Sequence, residues 1–207
     1  MAFTRNGYGQ VEPNQLSAQK TGQIYASLPL DSKVDILQNG EFMYYDYKSG
    51  TVTADGVGEP MLVFNEVKLY EPFWQTSYKD FAMIRVGDNY VTSRLATAGY
   101  GDGAKTTGVA SDHSDWQAGY RMDGIAPRLF KTNVGDIFTT NMVETGANIT
   151  YNQGDTLKLK KVDKAADKTG NTLVLSKDGT IDALEFVVAK VYKMPDGQPG
   201  LKLQRVK

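Results

Sequence analysis

The sequence predicts a mainly β protein, a barrel or sandwich of short antiparallel strands with an extended N-terminal arm. The composition of 21 Gly, 12 Tyr and 8 Phe in 207 residues is rich in turn formers and aromatic residues, which favours strands over helices. Short β-prone runs are separated by turn sequences throughout the chain. Only residues 14–28, interrupted by Gly22, and residues 162–170 could be helical, and each window predicts one or two turns.

The elements follow in order along the chain. Asn39-Gly40 separates two β-prone runs, 33–38 and 41–47, and predicts a hairpin turn. Residues 98–127 contain six Gly and little periodicity, which indicates a long loop or a join between subdomains. Strands then resume, and the last two are expected to pair across the turn sequence at 195–200. The predicted domains are an arm at 1–30 and two β subdomains at 31–110 and 111–207, with a single β domain over 31–207 as the alternative.

The N-terminal arm, residues 1 to about 25, has apolar side chains scattered without helical or strand period. Such scattered burial does not offset an ordering cost of about 1–2 kcal/mol per residue, so we expect the arm to bind a partner subunit. The alternative is an arm that folds back over its own barrel. The side chains predicted to contact the partner are Phe3, Tyr8, Val11, Leu16, Ile24 and Tyr25.

Composition and charge exclude several classes of function. The chain has no cysteine, which rules out disulfides, thiolate metal sites and a cysteine nucleophile. A net charge of −1 does not suggest a nucleic-acid partner, and we expect no specific nucleic acid. No apolar run is long enough to cross a membrane as a helix, and the first residues do not resemble a signal peptide.

The motifs that could carry chemistry fail on spacing. His113 lies near Asp112 and Asp115, but one histidine with neighbouring carboxylates does not define a metal or catalytic site. The glycine-rich stretch 99–108 lacks the Gly-Lys-Ser/Thr succession of a phosphate-binding loop. We therefore expect no enzymatic activity, no catalytic residue, no metal and no cofactor.

Glycan chemistry is the alternative that the aromatic residues leave open. Glu66, Glu71 and Trp74 place carboxylates beside aromatic rings, as a carbohydrate-binding module or a glycan hydrolase would. However, Glu66 and Glu71 are five residues apart and would face opposite sides of a strand. Aromatic side chains at a strand end more often belong to a core or a subunit interface.

Three tyrosines in residues 42–47 predict large rings on both faces of one strand. Alternation places Tyr44 on one face and Tyr45 with Tyr47 on the other. A sheet covered on both sides would explain this pattern, and so would a subunit contact, where Tyr is enriched. Tyr45, Tyr47 and Trp74 are the candidate interface aromatics.

Alternating lysines mark the segment 157–162, "LKLKKV", as a strand with one solvated face. The larger run 157–168 contains five Lys and two Asp but no Arg or aromatic residue, so it does not resemble a nucleic-acid groove. We expect a strand at the edge of a sheet, with its lysines opposing unwanted pairing.

The combination of a polar N-terminus, "TRNGYGQVEPNQLSAQKTGQIY", an NG turn in "QNGEF" and a C-terminal β run resembles auxiliary virion proteins of tailed bacteriophages, especially head decoration proteins. The resemblance implies a structural protein that binds the outside of a capsid without catalysis. It implies contacts with the major capsid protein or other virion subunits, self-association, and a location in the virion after synthesis in the bacterial cytoplasm. A tail or baseplate component is the structural alternative.

Overall fold

The computed structural model describes residues 3, 5, 8–66, 81–86, 89–92, 126–162, 171–195 and 197–207. Of these residues, 47% are in strands and 4% in helix, which confirms the mainly β class. No helix among them is long and apolar enough to cross a membrane.

The secondary structure consists of short strands and one helix of five residues. The helix α1 spans Ser17–Thr21. The strands are β1 (Val11–Gln15), β2 (Ile24–Tyr25), β3 (Ile36–Gln38), β4 (Phe42–Asp46), β5 (Thr51–Thr53), β6 (Met61–Val63), β7 (Ala82–Val86), β8 (Asn89–Thr92), β9 (Leu129–Phe130), β10 (Ile137–Thr140), β11 (Thr156–Val162), β12 (Thr172–Ser176), β13 (Ile181–Lys193) and β14 (Pro199–Arg205).

A curled antiparallel sheet forms a half-barrel around the core. Its eleven strands follow the order β1-β10-β14-β13-β11-β12-β4-β6-β9-β2, with β5 paired to β4. A second sheet has the order β3-β7-β8. The large sheet contains strands from all three intervals predicted as domains, so the boundary at residue 30 does not separate independent sheets. The boundary at residue 110 lies outside the described residues.

Aromatic side chains fill the interior of the half-barrel. Phe42, Phe138 and Phe186 are completely buried. The ring of Phe42 lies 5.5 Å from that of Phe186 and 6.3 Å from that of Phe138, and the last two are 5.6 Å apart. These tilted and edge-on contacts join three separate parts of the chain, so one core holds β4, β10 and β13 together.

The lysine-rich strand β11 has the predicted solvated face, but it does not lie at the edge of the sheet as predicted. Leu157 and Leu159 are completely buried, while Lys158 and Lys160 alternate with them on the outer side. However, β11 pairs with β12 on one side and β13 on the other. The prediction of an edge strand is wrong, because alternation reports which face is wet and not which strand lies next to it.

The turn at Asn39-Gly40 exists but does not make a hairpin. The backbone N–H of Glu41 donates to the carbonyl of Gln38 at 3.3 Å, which closes the turn. The strand before it, β3, pairs with β7, and the strand after it, β4, pairs with β5, β6 and β12. The turn therefore connects two sheets, and the hairpin prediction is corrected. By contrast, β13 and β14 pair as predicted across residues 194–198.

Residues 8–25, called here the N-terminal segment, lie on the chain's own sheet. Strand β1 pairs with β10 and strand β2 pairs with β9. Helix α1 between them ends at Gly22, whose φ of 70° is the left-handed conformation that glycine adopts readily. Of the two alternatives for the arm, the structure has the one in which the segment folds back over its own barrel.

Candidate functional site

Three tyrosine rings form a continuous aromatic feature at the protein surface. The ring of Tyr25 lies 5.2 Å from that of Tyr45, which in turn lies 5.2 Å from that of Tyr47. Tyr47 is 76% exposed, whereas Tyr25 and Tyr45 are half-buried. We call Tyr25, Tyr45 and Tyr47 the tyrosine surface. A row of rings that ends in solvent is an arrangement that protein interfaces use.

The turn between β4 and β5 holds Tyr47 in place. The carboxylate of Asp46 accepts hydrogen bonds from the backbone N–H groups of Lys48 at 3.0 Å and Ser49 at 3.2 Å. The N–H of Gly50 donates to the Asp46 carbonyl at 3.0 Å. The hydrogen bond from the Lys48 backbone, followed by that from the Ser49 side chain, lowers the pKa of Asp46. Tyr47 therefore stands on a turn that is fixed on both sides.

The N-terminal segment and the residues after it supply the other side of the surface. Tyr25 is the last residue of β2, which pairs with β9. The backbone N–H of Ser27 donates to the phenolic oxygen of Tyr45 at 3.1 Å. These contacts tie two tyrosines that are twenty residues apart in the sequence into one feature.

The opposite face of β4 behaves differently. Tyr44 is only 9% exposed, and its burial, followed by the charge of Asp55, raises its pKa. The two faces of β4 therefore differ in exposure, because Tyr44 is buried and Tyr47 lies in solvent. A subunit contact stays a prediction for Tyr45 and Tyr47.

The six residues predicted for partner contact separate into two groups. Phe3, Val11 and Leu16 are buried in the chain's own core, which removes them from any surface that a partner could reach. Tyr8, Ile24 and Tyr25 are half-buried. Partner binding stays a prediction for these three, of which Tyr25 belongs to the tyrosine surface.

Buried amide side chains hold the start of the N-terminal segment, and sequence reasoning missed them. The Asn141 side chain accepts a hydrogen bond from the Gln10 N–H at 2.7 Å and donates to the Tyr8 carbonyl at 3.3 Å. The Gln38 side chain accepts from the Gly9 N–H at 2.9 Å. These bonds supply side-chain partners to backbone groups at the start of the segment, as buried backbone groups require.

A second polar group holds helix α1. The carboxylate of Asp136 accepts hydrogen bonds from the Ser17 N–H at 3.1 Å, the Ser17 hydroxyl at 2.9 Å and the Asn133 N–H at 2.8 Å. The Asn133 side chain donates to the Ser17 hydroxyl at 2.7 Å. No local sequence signal marks Asp136 or Asn133 for this role, since Ser17 is 119 residues from Asp136.

One cluster in the described part of the chain brings together a carboxylate, an amine and a hydroxyl, those of Glu144, Lys160 and Ser176. Lys160 and the hydroxyl of Ser176 both donate to the Glu144 carboxylate. Partial burial of Glu144 opposes its ionisation, but the hydrogen bonds from Lys160 and then Ser176 outweigh it and lower its pKa. Ser176 is completely buried, and its hydroxyl is held by Glu144. The cluster fastens the loop after β10 to β11 and β12.

Of the other candidates for chemistry, only Glu66 lies among the described residues. Glu66 lies 3.5 Å from the guanidinium of Arg128, and both side chains are partly exposed. Glu71, Trp74, His113, its neighbours Asp112 and Asp115, and the stretch 99–108 lie outside the described residues. Within the described part, no group of three or more His, Asp or Glu side chains could hold a metal ion.

No protein-family model, curated protein or solved structure matches this chain.

Proposed function

We propose that this chain is a non-enzymatic structural subunit of a tailed-phage virion, which decorates and stabilises the capsid by binding the major capsid protein. The contact is made through the tyrosine surface. The observation that carries the proposal is the exposed ring of Tyr47, fixed on a rigid turn and continued inwards by Tyr45 and Tyr25. Such preorganised aromatic anchors lose little side-chain freedom on binding.

The use of the polar side chains supports the same role. Asp136 and Asn141 bond the N-terminal segment, and Glu144 bonds a loop to its neighbouring strands. Each of these side chains makes its hydrogen bonds with other residues of the same chain. A subunit that must remain intact within a particle benefits from buried polar groups that are satisfied internally.

The proposal places the chain in the virion after synthesis in the bacterial cytoplasm. Self-association on the particle surface is part of it, because decoration requires many copies on a repeating lattice. The tail and the baseplate are the other positions at which a structural subunit of this kind could bind.

Co-sedimentation with phage particles tests the proposal. Heads and tails are purified from the encoding phage with this gene deleted, and the purified chain is added back at increasing concentration. We expect saturable binding to heads and at least a tenfold weaker affinity for Tyr47→Ala, since a central aromatic anchor typically contributes about 2 kcal/mol or more. Binding to tails alone would move the protein to the tail or baseplate.

Val191→Ala is the matched control. Val191 is 40% exposed and lies on β13, which β11 and β12 separate from β4 in the sheet. The control variant should bind heads as the wild type does. Absence of wild-type binding to any particle, or equal binding by Tyr47→Ala, would overturn the proposal. Binding of a soluble glycan by the isolated wild-type chain, lost in Glu66→Ala or Trp74→Ala, would instead support the carbohydrate-binding alternative.

A further inference from the structure

Both outer strands of the large sheet come from the same short segment of chain. Strand β1 forms one edge and β2 forms the other, and residues 16–23 connect them. A connection that includes a five-residue helix spans no more than about 20 Å. The two edges of the curled sheet therefore lie close to each other.

The strands next to these edges are also consecutive in sequence. β10 lies beside β1 and β9 lies beside β2, and residues 131–136 join β9 to β10. This connection runs alongside the N-terminal segment and bonds to it. The Lys131 N–H donates to the Gln23 carbonyl at 3.2 Å, and the Asn133 side chain donates to the Gln23 side chain at 3.3 Å.

Residues 8–25 are attached through both apolar and polar contacts. Within this range Val11, Leu16 and Ala18 are buried, and Tyr8, Ile24 and Tyr25 are half-buried against the core clusters. Strand pairing and hydrogen bonds such as those of Ser17 with Asp136 provide the rest of the attachment. Regions with few apolar contacts open at a lower free energy than the core that they cover.

We infer that residues 8–25 act as a strap, which closes the half-barrel across the gap between β9 and β10 and opens as a unit separate from the core. The inference concerns the fold and does not depend on the proposed virion role. Opening would release β1, α1 and β2 together, because residues 16–23 couple the two edges. The core strands β11 and β12, which lie in the middle of the sheet, would remain paired.

Native-state amide hydrogen exchange in low concentrations of urea tests the inference on the full chain. The amides of Gln10 and Lys131 both make hydrogen bonds between the strap and its neighbours, and are called here the strap amides. In the wild type they should exchange at least tenfold faster than the amides of Leu159 and Val174 in β11 and β12. Their exchange should also depend less steeply on urea, because a local opening exposes less surface than global unfolding.

Ser17→Ala and Ser49→Ala form a matched pair. Ser17→Ala removes the hydroxyl that bonds Asp136 and Asn133, and should accelerate exchange of the strap amides about tenfold. Ser49→Ala removes a hydroxyl from the turn after β4 and should leave the strap amides unchanged. Equal rates and urea dependence for strap and core in the wild type would overturn the inference. So would a Ser17→Ala protein whose strap amides exchange at the wild-type rate.

Discussion

The N-terminal segment and the tyrosine surface differ in where their side chains direct their interactions. The N-terminal segment is polar, yet its backbone is bonded to Asn141 and Gln38 within the fold. The tyrosine surface is aromatic, yet its outermost ring is left in solvent. The polar sequence predicted an arm bound to a partner subunit, and the tyrosines predicted either a sheet covered on both sides or a subunit contact. The comparison teaches that the partners of the hydrogen bonds and rings, and not the residue type, decide whether a region is held in the fold or left exposed to solvent.

Substitution of two glycines, one packed against the N-terminal segment's neighbours and one in the turn of Tyr47, should give the largest difference in stability between the two regions. Gly40 has a φ of 94°, and an added Cβ would lie 2.3 Å from the Thr140 hydroxyl oxygen and 2.6 Å from the Met142 Cβ. Thr140 also donates to the Gln10 carbonyl, so a clash here reaches the N-terminal segment. We expect Gly40→Ala to lower the free energy of unfolding by about 3 kcal/mol, because strain and overpacking add.

Gly50→Ala is the control, since Gly50 lies in the turn that carries Tyr47. Its φ of 71° is also left-handed, but an added Cβ would meet nothing within 4 Å. The expected loss is about 1 kcal/mol from backbone strain alone. Urea denaturation of both variants measures the difference, and equal losses would contradict the close packing of Gly40 against β10.

Loss of the Asn141 amide should have the next largest effect on the free energy of unfolding. Asn141→Ala removes the acceptor of the Gln10 N–H and the donor to the Tyr8 carbonyl, leaving buried backbone groups without these bonds. We expect a loss of about 2–3 kcal/mol in the free energy of unfolding. Asn148→Ala, in an exposed turn, should change it by less than about 0.5 kcal/mol. Similar values for the two variants in thermal or urea unfolding would show that the network does not hold the segment.

Glu144 gives a smaller effect with a defined pH dependence. Its lowered pKa means that the ionised carboxylate stabilises the fold above the ordinary glutamate value of 4.5 and loses this contribution as pH falls through the folded-state pKa. At pH 7, Glu144→Gln should therefore be less stable than the wild type by about 1 kcal/mol. The difference should shrink below pH 4.5 in urea titrations.

Asp182→Asn controls for surface ion pairs. Asp182 pairs with Lys158 at 2.6 Å, but its side chain is 69% exposed, so solvent screens the pair. Its substitution should have a smaller effect at pH 7 than that of Glu144. A difference between Glu144→Gln and wild type that does not change with pH would refute the role assigned to the carboxylate.

The tyrosine surface should give the smallest effect on stability. Tyr47→Ala removes a ring that is mostly exposed, so we expect a change of less than about 0.5 kcal/mol in the free energy of unfolding. Thermal unfolding of Tyr47→Ala beside wild type measures it. A loss comparable to that of Asn141→Ala would mean that the ring supports the fold, and would remove the contrast between the two regions.

Local sequence determined the class of the fold and several of its elements. The alternation in β11 gives its buried leucines and outer lysines, Gly22 ends helix α1, and the turn residues at 195–200 pair β13 with β14. The two rings assigned to one face, those of Tyr45 and Tyr47, do lie together. Each of these features depends on residues that are neighbours in sequence, and period and turn chemistry act over that range.

Tertiary structure alone decided where the segments go. Asn39-Gly40 turns the chain as its sequence predicts, but the partners of β3 and β4 are other strands. The N-terminal segment is ordered by side chains such as Asn141, which is 131 residues from Gln10. The spacing of apolar residues cannot predict such a contact. An asparagine in the sequence gives no indication of whether its amide lies in an exposed loop or in a buried hydrogen-bond network. Only the fold, by bringing β10 beside the first residues, turns those polar groups into partners.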